Sequence, residues 1–426
     1  MTDLTFESEN PLDRRGEERA SPPDNAAPSG IAAGLILAVA GRLLRGLSKG
    51  SLRLVLANGA TRTFSGPADG VAAEIRISSP KLFWLVLRRG SIGFAEAYLS
   101  GHWESPDLAN VFRFFLDNSD AMQRSGGTQF SAAPRDRAYH RARPNSRSGS
   151  QRNIAAHYDL GNAFYALWLD PGMSYSSGIF ASANEELAVA QVRKYAKILE
   201  WLELRENALV LEIGCGWGGF IEAAANSGVA VNGITISDAQ LSYAKDRAAS
   251  LPSAARENAA LTFQDYRDTA GSFDGIASIE MIEAVGEENW PRYFETLFQR
   301  LKPGASAVLQ AITIPERYFD HYRRNPDFIQ RYIFPGGVLP TRSAIAQEGA
   351  RAGLMLDREL LFSASYAETL WRWLAAFRAN WPEITKLGFD ERFRRMWEYY
   401  LIYCATGFER EVIEVGLYRL TKPAMA

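Results

Sequence analysis

The sequence predicts an α/β fold whose main unit is an open parallel sheet covered by helices on both faces. From residue 151 onward, apolar runs typical of buried strands alternate with stretches typical of helices, and such alternation produces a parallel sheet. A glycine-rich segment directly follows the first of these apolar runs. The length of 426 residues exceeds that of one ordinary domain, so a second, smaller unit is also expected.

Composition divides the chain into four segments. The first is rich in polar residues and proline and is predicted to be disordered. The second has short alternating runs and is predicted to form a small α+β unit. The third is rich in Ser, Gly, Pro and Arg and is predicted to be a basic flexible linker, and the fourth is the α/β unit. In order, the segments are 1–30, 31–118, 119–150 and 151–426.

The small N-terminal unit is predicted from three local patterns. Two alternating runs meet at Asn58-Gly59, which is a strong hairpin signal. Residues 94–103 have the pattern of a helix that ends near Gly101. The apolar run 31–40 is about ten residues long, whereas a membrane-spanning helix needs about 20, so we predict a short amphipathic helix there.

The main unit is predicted to contain five strands with helices between them. The segment after about residue 320 is predicted to be mostly helical, and it is unusually aromatic. The five strands are expected within 208–213, 229–237, 261–268, 273–286 and 304–314.

Charge and metal-binding residues exclude several classes of function. The formal net charge is −2, which gives no global attraction to nucleic acid. The two cysteines, Cys215 and Cys404, lie far apart, and the four histidines have no metal-ligand spacing. The N-terminus is polar and lacks the apolar core of a secretory signal. We therefore expect a cytoplasmic protein with no metal and no nucleic-acid partner.

The glycine-rich loop is the strongest candidate for a cofactor site. Gly214, Gly216 and Gly218 follow an apolar strand, where glycines allow a tight turn and close approach of a ligand to the backbone. The carboxyl ends of the strands form the ligand-binding edge of such a sheet. A dinucleotide site would need G-x-G-x-x-G and an acid at the tip of the next strand, but residues 233–237 contain no acid.

The polar groups at this edge fit S-adenosylmethionine better than a dinucleotide. Glu212 can attract the ligand's ammonium group, while loop amides can bind its carboxylate. Thr235 and Gln240 follow the second strand and are predicted to reach the ribose. A glycine-rich loop alone could be only a turn. Suitable groups at successive strand ends favour the cofactor, and those expected near the adenine are Gln264, Asp265 and Tyr266.

Taken in order, several stretches of the chain resemble the cyclopropane-fatty-acyl-phospholipid synthase family. The resemblance covers roughly residues 75–418. It implies a class I methyltransferase domain, with a Rossmann-like sheet and a helical lid, beside a smaller lipid-associated N-terminal domain. The stretches that carry it are 156–180, 210–220, 233–237, 264–268, 278–290 and 327–340.

The resemblance implies methylation of a double bond in an unsaturated acyl chain of a phospholipid. Methyl transfer leaves a carbocation on the neighbouring carbon, and loss of a proton then closes a cyclopropane ring. Such a site must exclude water, which would quench the cation. The resemblance further implies peripheral association with the inner face of the membrane, and a homodimer is one alternative for the assembly.

The resemblance also implies that bound bicarbonate acts as the base. Ser177 stands where the family usually has cysteine, and Gln310 stands where its bacterial members have histidine. These departures leave a methyl-branched or methylidene product open as an alternative to the ring. The residues implied for the bicarbonate pocket are Ser177, Glu283, Gln310, Ile312 and Tyr366.

Four further residues are expected close to this predicted site. The resemblance places Tyr158 and Tyr175 in a lid near the methionine part of the cofactor, with Ser176 as a further binding residue. Glu280 lies on the same sheet edge as Glu283 and is a weaker candidate. A carboxylate at this edge could otherwise serve only as a helix cap.

Two segments suggest contact with lipid. Residues 121–153 carry seven arginines and one acid, which could bind anionic lipid or could simply be solvated. Residues 371–403 combine many aromatic residues with arginines, and we predict that they form partly core and partly the wall of an acyl channel or a bilayer contact. The alternatives are a methyltransferase for a small soluble molecule and a lipid-binding protein without activity.

Overall fold

The computed structural model describes residues 30–124, 132–158 and 160–424. The predicted disordered tail therefore lies outside the described residues except for Gly30. Within the described ranges the chain forms one four-stranded and one seven-stranded sheet. The four-stranded sheet lies within residues 49–104 and the seven-stranded sheet within residues 209–421.

The N-terminal unit packs helices against a four-stranded sheet. The strand order is β2-β1-β3-β4, with β1 antiparallel to β2 and parallel to β3. The predicted hairpin at Asn58-Gly59 is confirmed, and Gly59 has a φ of 82° in its turn. The elements are α1 (Gly30–Leu43), β1 (Lys49–Leu56), β2 (Thr61–Ser65), β3 (Ala68–Ile77), α2 (Lys81–Leu99), β4 (Trp103–Glu104) and α3 (Leu108–Arg124).

The segment predicted as a flexible linker differs in the structure. Its described part contains the end of α3, then α4 (Pro134–Arg141) and the start of α5 (Arg147–Tyr158). Asp136 on α4 is 2% exposed and accepts a hydrogen bond of 3.0 Å from Arg89 on α2. A buried charge is stable only when it is paired, so this contact fixes α4 against the N-terminal unit. Composition alone does not reveal such a partner.

The main unit contains a seven-stranded sheet of order β10-β11-β9-β8-β5-β6-β7. The five predicted strands are present and parallel to their neighbours within that set. Its elements are α6 (Asn162–Ala166), α7 (Leu187–Leu202), β5 (Leu209–Ile213), α8 (Gly219–Asn226), β6 (Ala230–Thr235), α9 (Asp238–Ala249), α10 (Ser253–Arg256), β7 (Ala259–Phe263), β8 (Phe273–Ile279), α11 (Trp290–Arg300), β9 (Leu301–Thr313), α12 (Glu316–Tyr322), α13 (Arg342–Ala352), β10 (Met355–Leu361), α14 (Ser363–Ala379), α15 (Trp381–Lys386), α16 (Glu391–Glu409) and β11 (Glu414–Thr421).

Two strands, β10 and β11, were not predicted. They pair antiparallel with each other, and β11 also pairs antiparallel with β9. The long helices α14 and α16 separate them in sequence, so no hairpin turn marks the pair. Most side chains of β10 are exposed, and this removes the alternating apolar pattern that would identify a half-buried strand.

The two units share one apolar core. Helix α16 packs on α2 and α3, and buried side chains from both units form one hydrophobic cluster. Ion pairs reinforce this contact: Arg113 Nε lies 2.7 Å from Glu409, and Arg410 Nε lies 2.8 Å from Asp117. Among the described residues, no helix is both long enough and apolar enough to cross a membrane.

Candidate active site

One continuous cavity runs from the carboxyl ends of the parallel strands into the N-terminal unit. Its volume is about 970 Å³, near the upper end of the range of about 300–1,000 Å³ for small-molecule sites. The end at the main sheet is polar. The other end is apolar and is lined by β1, β3, α2 and α3 through Leu52, Leu54, Ile75, Ile77, Leu82, Phe83, Val86, Phe112 and Phe115.

The glycine-rich loop forms part of the polar end. Gly214 and Gly216 line the cavity, with φ values of 81° and 50°, a conformation that favours glycine. Gly218 also has a positive φ, but it does not line the cavity. It precedes α8, and a Cβ there would lie 3.2 Å from the side chain of Ala244. The structure therefore places Gly218 in a packing role beside the site.

Glu212 supplies a buried carboxylate to the same end of the cavity. It is 2% exposed and lines the cavity, and its Oε2 has no hydrogen-bond partner. Burial raises the pKa of this carboxyl to about 8. A buried polar atom without a partner is costly, and an ammonium group is a suitable partner for it. This carboxylate acceptor thus fits the ammonium group in the methionine part of S-adenosylmethionine.

The residues predicted for ribose and adenine also line the cavity. The Thr235 hydroxyl lies 3.4 Å from the side-chain oxygen of Gln240. Asp265 accepts a hydrogen bond of 2.6 Å from Arg267, so its carboxylate already has a partner within the chain. Gln264 and Tyr266 complete this wall.

Tyr175 and Ser176 are the two described residues that the resemblance placed near the methionine part of the cofactor. The hydroxyl oxygens of Tyr175 and Tyr400 are 2.8 Å apart. Ser176 Oγ accepts a hydrogen bond of 2.6 Å from Lys194 Nζ. Both predicted residues line the cavity, so the segment before α7 is part of its wall.

Lys194 is a component of the site that the sequence did not reveal. It is completely buried on α7 and also donates a 2.6 Å hydrogen bond to Gln191. Burial lowers the pKa of its ammonium group to about 8, while Glu280, Asp170 and Glu212 act in the opposite direction. A lysine among apolar helix residues was the available signal, because lysine is rarely buried without a partner.

Glu283 lies in the short 3-10 turn that follows β8 and lines the cavity. Its Oε1 accepts a hydrogen bond of 2.5 Å from the backbone N–H of Ile312, and its Oε2 has no partner. Burial and then the nearby Glu280 raise the pKa of Glu283 to about 8. Glu283 therefore lies in the predicted site and has one carboxylate oxygen that could bind a ligand.

Glu280 occupies the centre of the predicted bicarbonate pocket. Its carboxylate accepts hydrogen bonds from Ser177 N–H (2.9 Å), Gln310 Nε2 (2.7 Å) and Tyr366 Oη (2.6 Å). Ser177 and Gln310 do not line the cavity, whereas Ile312, Tyr366 and Glu280 do. Three of the groups implied as bicarbonate ligands thus donate to a side chain of the protein instead.

The backbone at Glu280 adds to the unusual character of this position. Its φ is 49°, in the left-handed region that costs a non-glycine residue about 1–2 kcal/mol. Such strain is often found at functional sites. A glutamate in this conformation therefore supports a chemical role for its carboxylate.

Segment 145–153 contributes three polar residues to the wall of the cavity. Asn145, Ser150 and Asn153 line the cavity, and Asn145 donates a 2.8 Å hydrogen bond to the carbonyl of Gly336. The side chain of Tyr158, which was also predicted for the lid, lies outside the described residues. In the described part of the chain, no group of His, Cys, Asp and Glu could hold a metal ion.

The aromatic segment 371–403 is mostly core. Trp373 and Trp397 have no exposed surface. Tyr399, Tyr400 and Tyr403 line the cavity, which agrees with the predicted channel wall. The aromatic side chains of this segment are buried or half-buried, so the alternative of a bilayer contact through these rings is not supported.

A side chain at the loop glycines should prevent cofactor binding. Gly214→Val would place a branched side chain in the cavity at a φ of 81°. We expect the affinity for S-adenosylmethionine, measured by calorimetry, to fall at least tenfold, a change of about 1.4 kcal/mol. Gly228→Val is the matched control, because Gly228 has a φ of 76° in a turn away from the cavity. Equal affinity in both folded variants would reject the loop assignment.

Loss of the Lys194 charge should weaken cofactor binding through Glu212. Lys194→Met removes the cation that most lowers the pKa of Glu212 and leaves Arg247 as the weaker one, so the pKa of Glu212 should rise further above about 8. The neutral carboxyl attracts an ammonium group less, so affinity at neutral pH should fall and should recover only at higher pH. Lys197→Met on the same helix is the control, because Lys197 pairs with Glu200 at the surface. If the affinity for S-adenosylmethionine depended on pH in the same way in both variants, this role of Lys194 would be contradicted.

Comparison with known proteins places this site in context. Residues 145–417 match the mycolic acid cyclopropane synthetase family. The chain is 37% identical to the tuberculostearic acid methyltransferase UfaA1 of Mycobacterium tuberculosis, over 93% of each chain. It is 36% identical to the cyclopropane-fatty-acyl-phospholipid synthase of Escherichia coli, over 80% of this chain and 86% of that protein. The mycolic acid cyclopropane synthase CmaA1, solved with SAH and CTAB, is 29% identical with a TM-score of 0.59, over 64% of this chain and 98% of that chain.

Proposed function

The chain belongs to the mycolic acid cyclopropane synthetase family, and we propose that it methylates the double bond of an unsaturated acyl chain in a phospholipid. Membership makes it an S-adenosylmethionine-dependent methyltransferase, as the loop and strand ends predicted. The single observation that carries the substrate proposal is the continuous cavity. All of the predicted cofactor residues except Gly218 line this cavity, and its apolar end has room for a hydrocarbon chain.

The apolar end suits an acyl chain because its lining comes from a packed sheet and two helices. Leu52, Leu54 and Ile77 are each at most 5% exposed, so they present a dry wall to the cavity. Burial of a methylene group is worth about 0.8 kcal/mol, which makes a long chain a favourable occupant. A small polar substrate would leave this part of the cavity without a partner.

The reaction requires protection of a cation. When bound, S-adenosylmethionine supplies an electrophilic methyl group to the alkene. Positive charge then develops on the neighbouring carbon of the acyl chain, and the rings of Tyr175, Tyr366 and Phe408 line the cavity there. Aromatic faces attract cations, and the apolar wall keeps water away. The residues thus provide conditions in which the cation survives until a proton is lost.

We assign the role of the base to Glu280 in place of bicarbonate. Its carboxylate takes the hydrogen bonds of Ser177, Gln310 and Tyr366, which leaves those donors unavailable to a separate anion. One carboxylate oxygen accepts a proton from the acyl chain, and the electrons of the broken C–H bond form the product bond. Burial, the largest influence on this carboxyl, raises its pKa above the ordinary value and so improves it as a base.

The tethered base favours an open-chain product over a ring. A free anion can settle beside the new methyl group, whereas the Glu280 carboxylate is fixed by its backbone and three donors. We propose that the cation loses a proton from the adjacent chain carbon, which gives a methyl-branched alkene. Alternatively, a 1,2-hydride shift first moves the charge to the methyl-bearing carbon, and loss of a proton from the new methyl group then gives a methylidene chain. A C=C bond remains in both products. A relative that matches 93% of the chain is named tuberculostearic acid methyltransferase UfaA1, and this supports the proposal.

Mass spectrometry of lipids from a host that expresses the protein tests this function. Unsaturated phospholipid chains should gain the mass of one CH2 group, and the product should still take up hydrogen on mild catalytic reduction. A cyclopropane ring would gain the same mass without that uptake, which would retain the methyltransferase and reject the product. Trideuteromethyl donor separates the two alkenes, because only the methyl-branched alkene keeps all the deuterium. Unchanged lipids would reject the proposed substrate.

A further inference from the structure

Helix α2 has two apolar faces. Leu82 and Val86 are buried and line the cavity, as expected for an amphipathic helix. On the opposite side Trp84 is 68% exposed and Leu87 is 63% exposed. Large exposed side chains of this kind, three residues apart on one helix, form a continuous apolar strip in water.

Two basic residues flank this strip. Lys81 and Arg88 are exposed, and Lys81, Trp84 and Arg88 lie at i, i+3 and i+7 on one helix face. In the part of the chain that the structure describes, neither cation forms an ion pair. A shallow recess lined by Lys81, Trp84, Leu85, Arg88 and His102 lies on the same surface. We call Lys81, Trp84, Leu87 and Arg88 the α2 patch.

The α2 patch stands on a rigid support. The buried Arg89 guanidinium donates a 3.0 Å hydrogen bond to Asp136 on α4 and also pairs with Glu96. Leu82 and Val86 pack into the shared core beneath the patch. These contacts anchor α2 beneath the patch, so the same helix faces solvent on one side and the proposed acyl site on the other.

We propose that the α2 patch docks the protein on an anionic lipid bilayer. Tryptophan and leucine beside lysine and arginine are the composition of a helix that lies in a membrane interface, and unpaired cations complement anionic headgroups. The inference rests on the proposed function, because a phospholipid substrate must be reached in its bilayer. Docking through α2 would bring the membrane to the helix whose other face lines the acyl site.

A second copy of the chain suits the patch less well. Two α2 patches facing each other would bring unpaired like charges together, which is unfavourable. The patch also consists of only four side chains on one helix, which is a small area compared with the roughly 800 Å² that each partner buries in a stable interface. An anionic bilayer offers negative headgroups to the two cations and an apolar interior to the narrow strip of Trp84 and Leu87.

Vesicle sedimentation tests the docking. Trp84→Asp with Leu87→Asp should weaken binding to vesicles that contain phosphatidylglycerol by at least tenfold, because two acids replace the inserting side chains. Lys81→Gln with Arg88→Gln should weaken binding about fivefold per charge removed, should do so only on anionic vesicles, and should lose its effect at high salt. Neutral phosphatidylcholine vesicles provide the comparison.

Helix α7 offers a matched control. Val189 and Val192 are 47% and 63% exposed, but the neighbouring Arg193 pairs with Glu185. Val189→Asp with Val192→Asp adds the same charges to an exposed apolar helix surface without altering the α2 patch. This control should retain vesicle binding, and all variants should retain the native circular dichroism spectrum and cofactor affinity.

Activity separates this inference from the proposed function. The Trp84 and Leu87 double variant should lose turnover on vesicles and keep it on phospholipid dispersed in detergent. Equal vesicle binding by the α2 and α7 variants would overturn the docking. So would a change from dimer to monomer in the α2 variant with vesicle binding intact. Native protein that binds vesicles through α2 but methylates neither form of the phospholipid would instead overturn the proposed function.

Discussion

Removal of the Glu280 carboxylate should reduce turnover by about 10²–10⁴-fold, the usual contribution of a positioned acid or base. Glu280→Gly suits the φ of 49° at this position, so the variant should fold and could gain about 1–2 kcal/mol from relief of backbone strain. It leaves Ser177 N–H, the Gln310 amide and the Tyr366 hydroxyl facing the vacated space. Added bicarbonate should therefore restore part of the activity.

Two controls sharpen this result. Glu280→Gln keeps the volume of the side chain and removes its charge, so it should be inactive with or without bicarbonate. Glu287→Gln alters a surface glutamate nearby that pairs with Arg323, and it should have native turnover. Cofactor affinity should change little in all three variants. A fully active Glu280→Gln protein would remove this carboxylate from the chemistry.

Loss of the Glu283 charge should lower kcat on the order of 100-fold with little change in cofactor affinity. Glu283 lines the cavity, and its Oε2 has no hydrogen-bond partner in the described structure, so we expect this carboxylate to stabilise positive charge on the acyl chain. An interaction that forms mainly in the transition state affects kcat more than binding. Glu283→Gln tests this in single-turnover experiments.

The pH profile gives Glu283 an independent signature. Burial and the neighbouring Glu280 raise its pKa to about 8, so ionisation increases as pH rises and the rate should rise with it. In Glu283→Gln the remaining rate should lose the rise near pH 8, and any dependence that remains should come from Glu280. Tyr366→Phe is the companion variant, because it removes the 2.6 Å hydrogen bond to Glu280 and leaves Glu283 in place. If Glu283→Gln had native turnover, Glu283 would not be the group that stabilises the cation.

The order of strands and helices in the main unit could be predicted because each element has a local signal. Val210, Leu211 and Ile213 form a short apolar run before glycines, and this pattern identifies β5 without tertiary information. The pairing of β10 with β11 depends on residues separated by α14 and α16, so no local pattern specifies it. The helices within 132–158 likewise depend on partners such as Arg89, which lies far away in sequence.

The cofactor end of the site was more predictable than the base. Glu212, Gly214 and Thr235 are adjacent to strand ends, and parallel strands place those ends at one edge. The position of the Glu280 side chain was not predictable, because it depends on a positive φ and on donors from Ser177 and Tyr366. These donors lie on separate elements that only the folded chain brings together.

The central claim is that Glu280 replaces bicarbonate in a phospholipid acyl-chain methyltransferase. The most direct measurement is the turnover of the native protein on dispersed unsaturated phospholipid, in buffer freed of carbon dioxide and again with added bicarbonate. We predict the same rate in both buffers, with a clear bicarbonate response only in Glu280→Gly. A native rate that falls when bicarbonate is removed and returns when it is added would contradict the account.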